Sequence, residues 1–156
     1  VGLAQWCPDT PIYAFDTDPW ARKVTRDFAQ TNHASNVQSL GYCSPDWLNR
    51  HLSPNALIVC DCEGFEYQLL QLRHSPHLQS ATMIIECHDA APWERTQALQ
   101  AEFSSTHSST LASFDPASHP TAVPIPLDFI PSHLRHFAWV EPRHADQRWL
   151  FLIPRT

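Results

Sequence analysis

The stretch "ALIVCDCEGFEYQLL" (residues 56–70) decides how this chain is read. Its first half is a continuous apolar run without alternation, the pattern of a strand covered on both faces, as in a parallel sheet. Its second half, continuing through "GFEYQLLQLR", reads as a helix. Between them stand Asp61, Glu63 and Glu66, with Gly64 among them, one of only three glycines in the chain. A core strand has no use for that much negative charge. Acids in a first helical turn satisfy free N–H groups and complement the helix dipole, each for about 0.3–1 kcal/mol, and Glu66 is read in that way. Asp61 comes earlier, at the strand tip, where a carboxylate can orient a substrate or accept a proton. Asp61 and Glu63 together also offer oxygen ligands to a hard divalent cation.

Working outward, strands and helices alternate. "PIYAFD" (11–16) reads as a buried strand, followed by Asp18 as an N-cap and Pro19 in the first helical position. The helix after it carries Trp20, Val24 and Phe28 as one apolar stripe. "NVQSL" (36–40) is a weaker strand, and Ser44 with Pro45 opens a short helix. "ATMIIEC" (81–87) is a second continuous strand. Pro92 opens a further helix with Trp93, Ala98 and Phe103 directed inward. "STLASF" (109–114) and "RWLFLIP" (148–154) are the remaining strands. The segment 115–131 is rich in proline and reads as a loop or lid, and the stretch 131–141 as a helix. This alternation predicts a single domain with a three-layer α/β sandwich, a mainly parallel sheet with helices on both faces.

Composition sets limits on function. The formal net charge is −6 and no Lys/Arg cluster appears, which argues against a protein that grips nucleic acid through its phosphates. No apolar run approaches the roughly 20 residues of a membrane span, and the start "VGLAQWCPDTP" carries no export signal. The five cysteines are irregularly spaced, so reduced thiols in a cytoplasmic protein are expected rather than a disulfide framework. Cys60 and Cys62 with Cys87 and His88 invite a zinc reading, but the spacing matches no zinc ribbon or finger.

In open α/β sheets ligands bind at the carboxyl ends of strands. Three of the expected strands end in acids: Asp16, Asp61, and Glu86 followed by His88. An acid at the end of an early strand can accept both hydrogens of a ribose diol, which points to Asp16. His88 is the residue type that most often serves as a general base near neutral pH.

At these residues the chain resembles the FkbM-type S-adenosylmethionine-dependent methyltransferases, of the Rossmann-like class. The family pattern around its fourth strand is aliphatic-Lys-aliphatic-Asp-Val-Glu-Gly-Ala-Glu before a leucine-rich helix. Here it reads Ile58-Val59-Cys60-Asp61-Cys62-Glu63-Gly64-Phe65-Glu66. The family's next strand ends in Glu-aliphatic-His, here Glu86-Cys87-His88. Its second strand ends in Ala-Phe-Glu-Pro, here Ala14-Phe15-Asp16-Thr17-Asp18-Pro19, and a downstream asparagine such as Asn32 is usual. The closing tryptophan-leucine strand is similar in kind. Val59 stands in place of the family's lysine, and Asp16 is one methylene shorter than its usual Glu.

The resemblance implies a sheet in the order 3-2-1-4-5-7-6. It implies S-adenosylmethionine held at Asp16, with Thr17 and Asp18 beside it, and a methyl acceptor, a small molecule or sugar hydroxyl, facing Asp61, Glu63 and His88. The first strand of that order and its glycine-rich loop have no counterpart here, since "VGLAQWCP" corresponds to the end of the first helix; the expectation is a fragment of a longer protein. Two other classes are carried alongside: a non-catalytic binding or assembly module of the same fold, and a metal-dependent hydrolase built on Asp61, Glu63 and His88.

Overall fold

The computed structural model describes residues 1–113 and 148–155. The proline-rich segment 115–131 and the expected helix over 131–141 lie outside the described residues. The chain divides into two compact units, Val1–His51 and Leu52–Thr156, and each is described by itself.

The first unit runs α1 (Gly2–Trp6), β1 (Ile12–Phe15), α2 (Pro19–Thr31), β2 (Val37–Leu40) and α3 (Pro45–His51). β1 and β2 pair in parallel, from Ile12 opposite Val37 to Phe15 opposite Leu40. The start of α2 follows its sequence signals: the Asp18 carboxylate accepts the Trp20 N–H at 2.8 Å, with Pro19 in the first turn. The Asn36 side-chain amide donates to the carbonyls of Ala4, Cys7 and Thr10 at 3.3, 2.9 and 2.8 Å. One side chain thereby ties α1 and the loop after it to the entry of β2. Trp47 on α3 sets its ring edge-on to Tyr13 and Phe15 and stacks on His51.

The core of this unit is small, with Ala4, Ala29 and Ala34 buried and Val1, Ile12 and Val37 packed around them. The expected stripe on α2 is not the buried face: Trp20 and Phe28 are 69% and 61% exposed. The helix meets its two-stranded sheet through small residues such as Ala29, which allow a close approach that the rings would prevent.

The second unit runs β3 (Leu57–Cys60), α4 (Glu66–Leu69), a short 3-10 turn (Pro76–Ser80), β4 (Thr82–Cys87), α5 (Glu94–Glu102), β5 (His107–Ser113) and β6 (Arg148–Pro154). Its sheet has the order β3-β4-β6-β5. β3 and β4 are parallel, with Leu57 opposite Thr82 and Cys60 opposite Ile85, whereas β6 runs antiparallel to both β4 and β5. The architecture is thus α/β, with mixed rather than uniformly parallel pairing in this sheet. Leu70, Leu78, Met83, Ile85, Phe103, Leu150 and Leu152 have no exposed surface. Buried His107 is part of this scaffold, its Nε2 against the Ala81 carbonyl at 2.9 Å and its Nδ1 against the Thr106 hydroxyl at 2.8 Å.

Three expectations shift here. β3 is an edge strand among the described residues, so it is not covered throughout: Leu57 and Val59 are about half exposed. The helix expected over 64–73 is one turn long, Glu66–Leu69, and closes at Leu70. On α5 the inward residues are Thr96 and Leu99, continuing to Phe103, while Ala98 is exposed and Trp93 is half-buried. The spacings 96–99–103 follow the helical period, which 93–98–103 does not.

Candidate functional site

β3 and β4 are parallel neighbours, so their carboxyl ends open side by side. The residues that follow each tip meet there. His88, just past β4, lies within 4 Å of four carboxylates. Its Nε2 is 3.5 Å from Asp61 Oδ1, 3.6 Å from Glu63 Oε2 and 3.9 Å from Glu86 Oε1, and its Nδ1 is 3.4 Å from Glu66 Oε1. The sequence-based set Asp61, Glu63 and His88 is therefore one physical cluster.

Burial grades across it. The side chains of Glu66 and Glu86 are 0% and 3% exposed, that of His88 20%, and those of Asp61 and Glu63 42% and 83%. The cluster is thus floored by two buried acids and rimmed by two that reach solvent.

Glu66 does more than begin a helix. Its Oε2 accepts the Gly64 N–H at 2.8 Å and also receives the Cys62 thiol at 3.5 Å, while its Oε1 accepts the His88 N–H at 2.9 Å. A buried carboxylate is tolerable when its oxygens are satisfied by charge-assisted bonds, and these backbone donors come from the loops after both strands. The turn that brings Gly64 into place has left-handed backbone at Glu63, φ 53, and again at Gly64, φ 97. The second value is one that L side chains rarely adopt, which accounts for a glycine at this position. Arg95 closes the turn from outside, its guanidinium donating to the Gly64 carbonyl at 2.9 Å and lying 4.1 Å over the Tyr67 ring.

A second network sits behind the cluster and escapes the sequence reading. The Asp89 carboxylate accepts the Thr96 N–H at 3.0 Å and the Tyr67 hydroxyl at 3.0 Å, and also takes the Thr96 hydroxyl. Trp93 at the start of α5 provides no side-chain cap, so Asp89 supplies that function from outside the helix. Burial raises the Asp89 carboxyl, but the bonds from Thr96 and Tyr67 outweigh it and hold the group below the usual carboxylate range. Burial pushes the Tyr67 phenol well above its ordinary value, so it remains a donor. Burial likewise raises the Cys87 thiol, which leaves it protonated and unsuited to act as a nucleophile.

His88, Asp89, Ala90, Pro92, Glu94 and Arg95 line an open cleft of about 290 Å³ beside the cluster. Arg148, on β6, lies over the Trp93 ring at 3.7 Å to its centroid.

Asp16, Thr17 and Asp18 belong to the first unit. All three are exposed at the carboxyl end of β1. Asp16 Oδ1 accepts the Asp18 N–H at 2.8 Å, and Arg22 donates to the carbonyls of both Asp16 and Thr17 at 2.8 Å. Asp18 is engaged as the cap of α2, and Asp16 likewise uses one carboxylate oxygen within this turn. Cys60 and Cys62 approach to 3.4 Å between sulfurs. Among the described residues the group whose donor atoms could hold a metal ion is Asp61, Glu63 and His88, without a cysteine.

The chain matches no known family model and no curated protein.

Proposed function

We propose that this chain is a Rossmann-like methyltransferase domain of FkbM type that moves the methyl group of S-adenosylmethionine to a hydroxyl of a small molecule or sugar. One observation carries the reading: the strand order. In the numbering that the resemblance implies, β1 and β2 are the second and third strands, and β3, β4, β5 and β6 the fourth to seventh. The observed pairings, β2-β1 in one unit and β3-β4-β6-β5 in the other, are then 3-2 and 4-5-7-6. Each reproduces its part of the order 3-2-1-4-5-7-6. The Asp61–Glu66 motif follows the fourth strand and Glu86-Cys87-His88 ends the fifth, where the family pattern has them.

In this reading Asp16 holds the cofactor's ribose hydroxyls, with Thr17 and Asp18 shaping the turn. Asp61, Glu63 and His88 face the acceptor. The transfer breaks the sulfonium's S–CH3 bond and forms an O–CH3 bond, and the hydroxyl proton must leave. Catalysis then requires little beyond holding the oxygen in line with the methyl and drawing off that proton, which suits a cluster of carboxylates around an imidazole at a solvent-facing rim. The 290 Å³ cleft beside His88 is at the small end of ligand sites and fits a modest acceptor group.

The test is calorimetric titration of the full-length protein with S-adenosylhomocysteine. Saturable binding supports the reading. Absence of binding overturns it in favour of the same fold serving as a non-catalytic module.

A further inference from the structure

We infer that Asp61, Glu63 and His88 form a divalent-cation site of mixed oxygen and nitrogen donors. The inference deepens the proposed function, on which it rests for the use of the ion although not for its binding.

The spacing carries it. The three donor atoms, one from each residue, lie within 4.8 Å of one another, and His88 Nε2 stands 3.5 Å from Asp61 Oδ1 and 3.6 Å from Glu63 Oε2. These separations are too long for hydrogen bonds. They are close to the separations of donors that share an ion: for bonds of about 2.1 Å, neighbouring donors stand about 3.0 Å apart at a right angle and about 3.4 Å apart at a tetrahedral one. An independent observation concerns the other side of the ring. Nδ1 is buried and makes no hydrogen bond among the described residues. It faces Glu66 Oε1 at 3.4 Å, the position from which a carboxylate orients a ligating imidazole and draws its Nδ1–H toward itself. A small rotation of the ring on ligation would shorten that contact to a hydrogen bond.

Two carboxylates and one imidazole select among cations. An all-oxygen set would suit magnesium or calcium, whereas the nitrogen donor shifts preference toward first-row transition ions such as manganese. With Asp61 and Glu63 reaching solvent and three donors from the chain, a coordination position remains for an acceptor hydroxyl. An ion there would polarise that oxygen and make its proton easier to lose.

The experiment is titration of the whole chain with MnCl2 and, separately, MgCl2, by calorimetry without any cofactor. The expected result is one saturable Mn2+ site at least tenfold tighter than Mg2+. Glu63→Gln, at a mostly exposed position where the fold is not at risk, and Asp61→Asn should each weaken Mn2+ at least tenfold. His88→Gln should narrow the preference for Mn2+ over Mg2+, a change that general loosening of the fold would not produce. Absence of saturable Mn2+ binding, or unchanged affinity in Glu63→Gln, overturns the inference. Mn2+ binding, with no affinity of the full-length protein for S-adenosylhomocysteine, upholds the site and removes methyl transfer. The reverse result upholds methyl transfer and removes the ion.

Discussion

The two units differ in what they bury. The second closes over leucines, Met83, Ile85 and Phe103, all without exposed surface. The first buries Ala4, Ala29, Ala34 and a single leucine among the described residues, Leu48, and leaves Trp6, Trp20, Phe28 and Tyr42 largely exposed. Buried apolar area at about 25 cal/mol per Å² is the main source of stability, so local stability is concentrated in the second unit. The Asp61–Glu63–His88 cluster stands on that well-packed sheet, while Asp16, the proposed cofactor contact, stands on the lightly packed unit. Precision in the first site and adaptability in the second would follow from this division.

The largest effect expected is from Phe103→Ala. Emptying a fully buried ring site should destabilise the protein by about 3–5 kcal/mol in a denaturant melt. If the loss were below about 1 kcal/mol, the second unit would not be the stable one.

Asp89→Asn comes next, at about 2 kcal/mol for loss of charge-assisted bonds from Thr96 and Tyr67. Because the folded-state carboxyl is held below its ordinary value, its contribution is fully present above about pH 4, the unfolded value. It is lost as pH falls through the lower folded value. The variant and the parent should therefore differ most near neutrality and converge in acid, as read from melts across that window.

In the full-length protein Asp16→Ala should weaken S-adenosylhomocysteine at least tenfold, about 1.4 kcal/mol, with little change in the melt because the residue is exposed. Equal affinity would remove Asp16 from the cofactor site.

Gly64→Ala should cost about 1 kcal/mol through backbone strain at φ 97 alone, since no atom lies within 4 Å of the added methyl. The smallest effect belongs to Phe28→Ala, within about 0.5 kcal/mol. Set beside Phe103→Ala, it compares the same deletion in the two units, and a large loss at Phe28 would mean that its exposed ring is covered in the working protein.

Much of the scaffold was legible because strand tips announce themselves: an apolar run stopped by an acid marks both the end of β3 and the end of β4. Asp61, Glu63 and His88 were legible for the same reason, since parallel neighbours must present their ends together. The buried face of α2 was hidden because alanines carry little hydrophobic signal beside Trp20 and Phe28. The short α4 was missed because leucine-rich periodicity says nothing of where a chain must turn back to its sheet. Asp89 could not be found as the cap of α5 because a cap is sought beside a helix, and this one acts across seven positions of sequence. Glu66 was read as a helix-start acid because its second partner, the His88 N–H, comes from another strand's loop and leaves no local pattern. Its place in the Asp-x-Glu-Gly-x-Glu run was the available signal.

That double grip has a mechanical consequence. Glu66 is anchored through one oxygen to the turn at Gly64 and through the other to the backbone of His88. A displacement of either loop stretches a bond to the same rigid carboxylate, so the loops move as a pair. A ligand that touches only the Gly64 turn would thus be felt at the imidazole, 24 positions further along the chain, without any rearrangement of the sheet beneath.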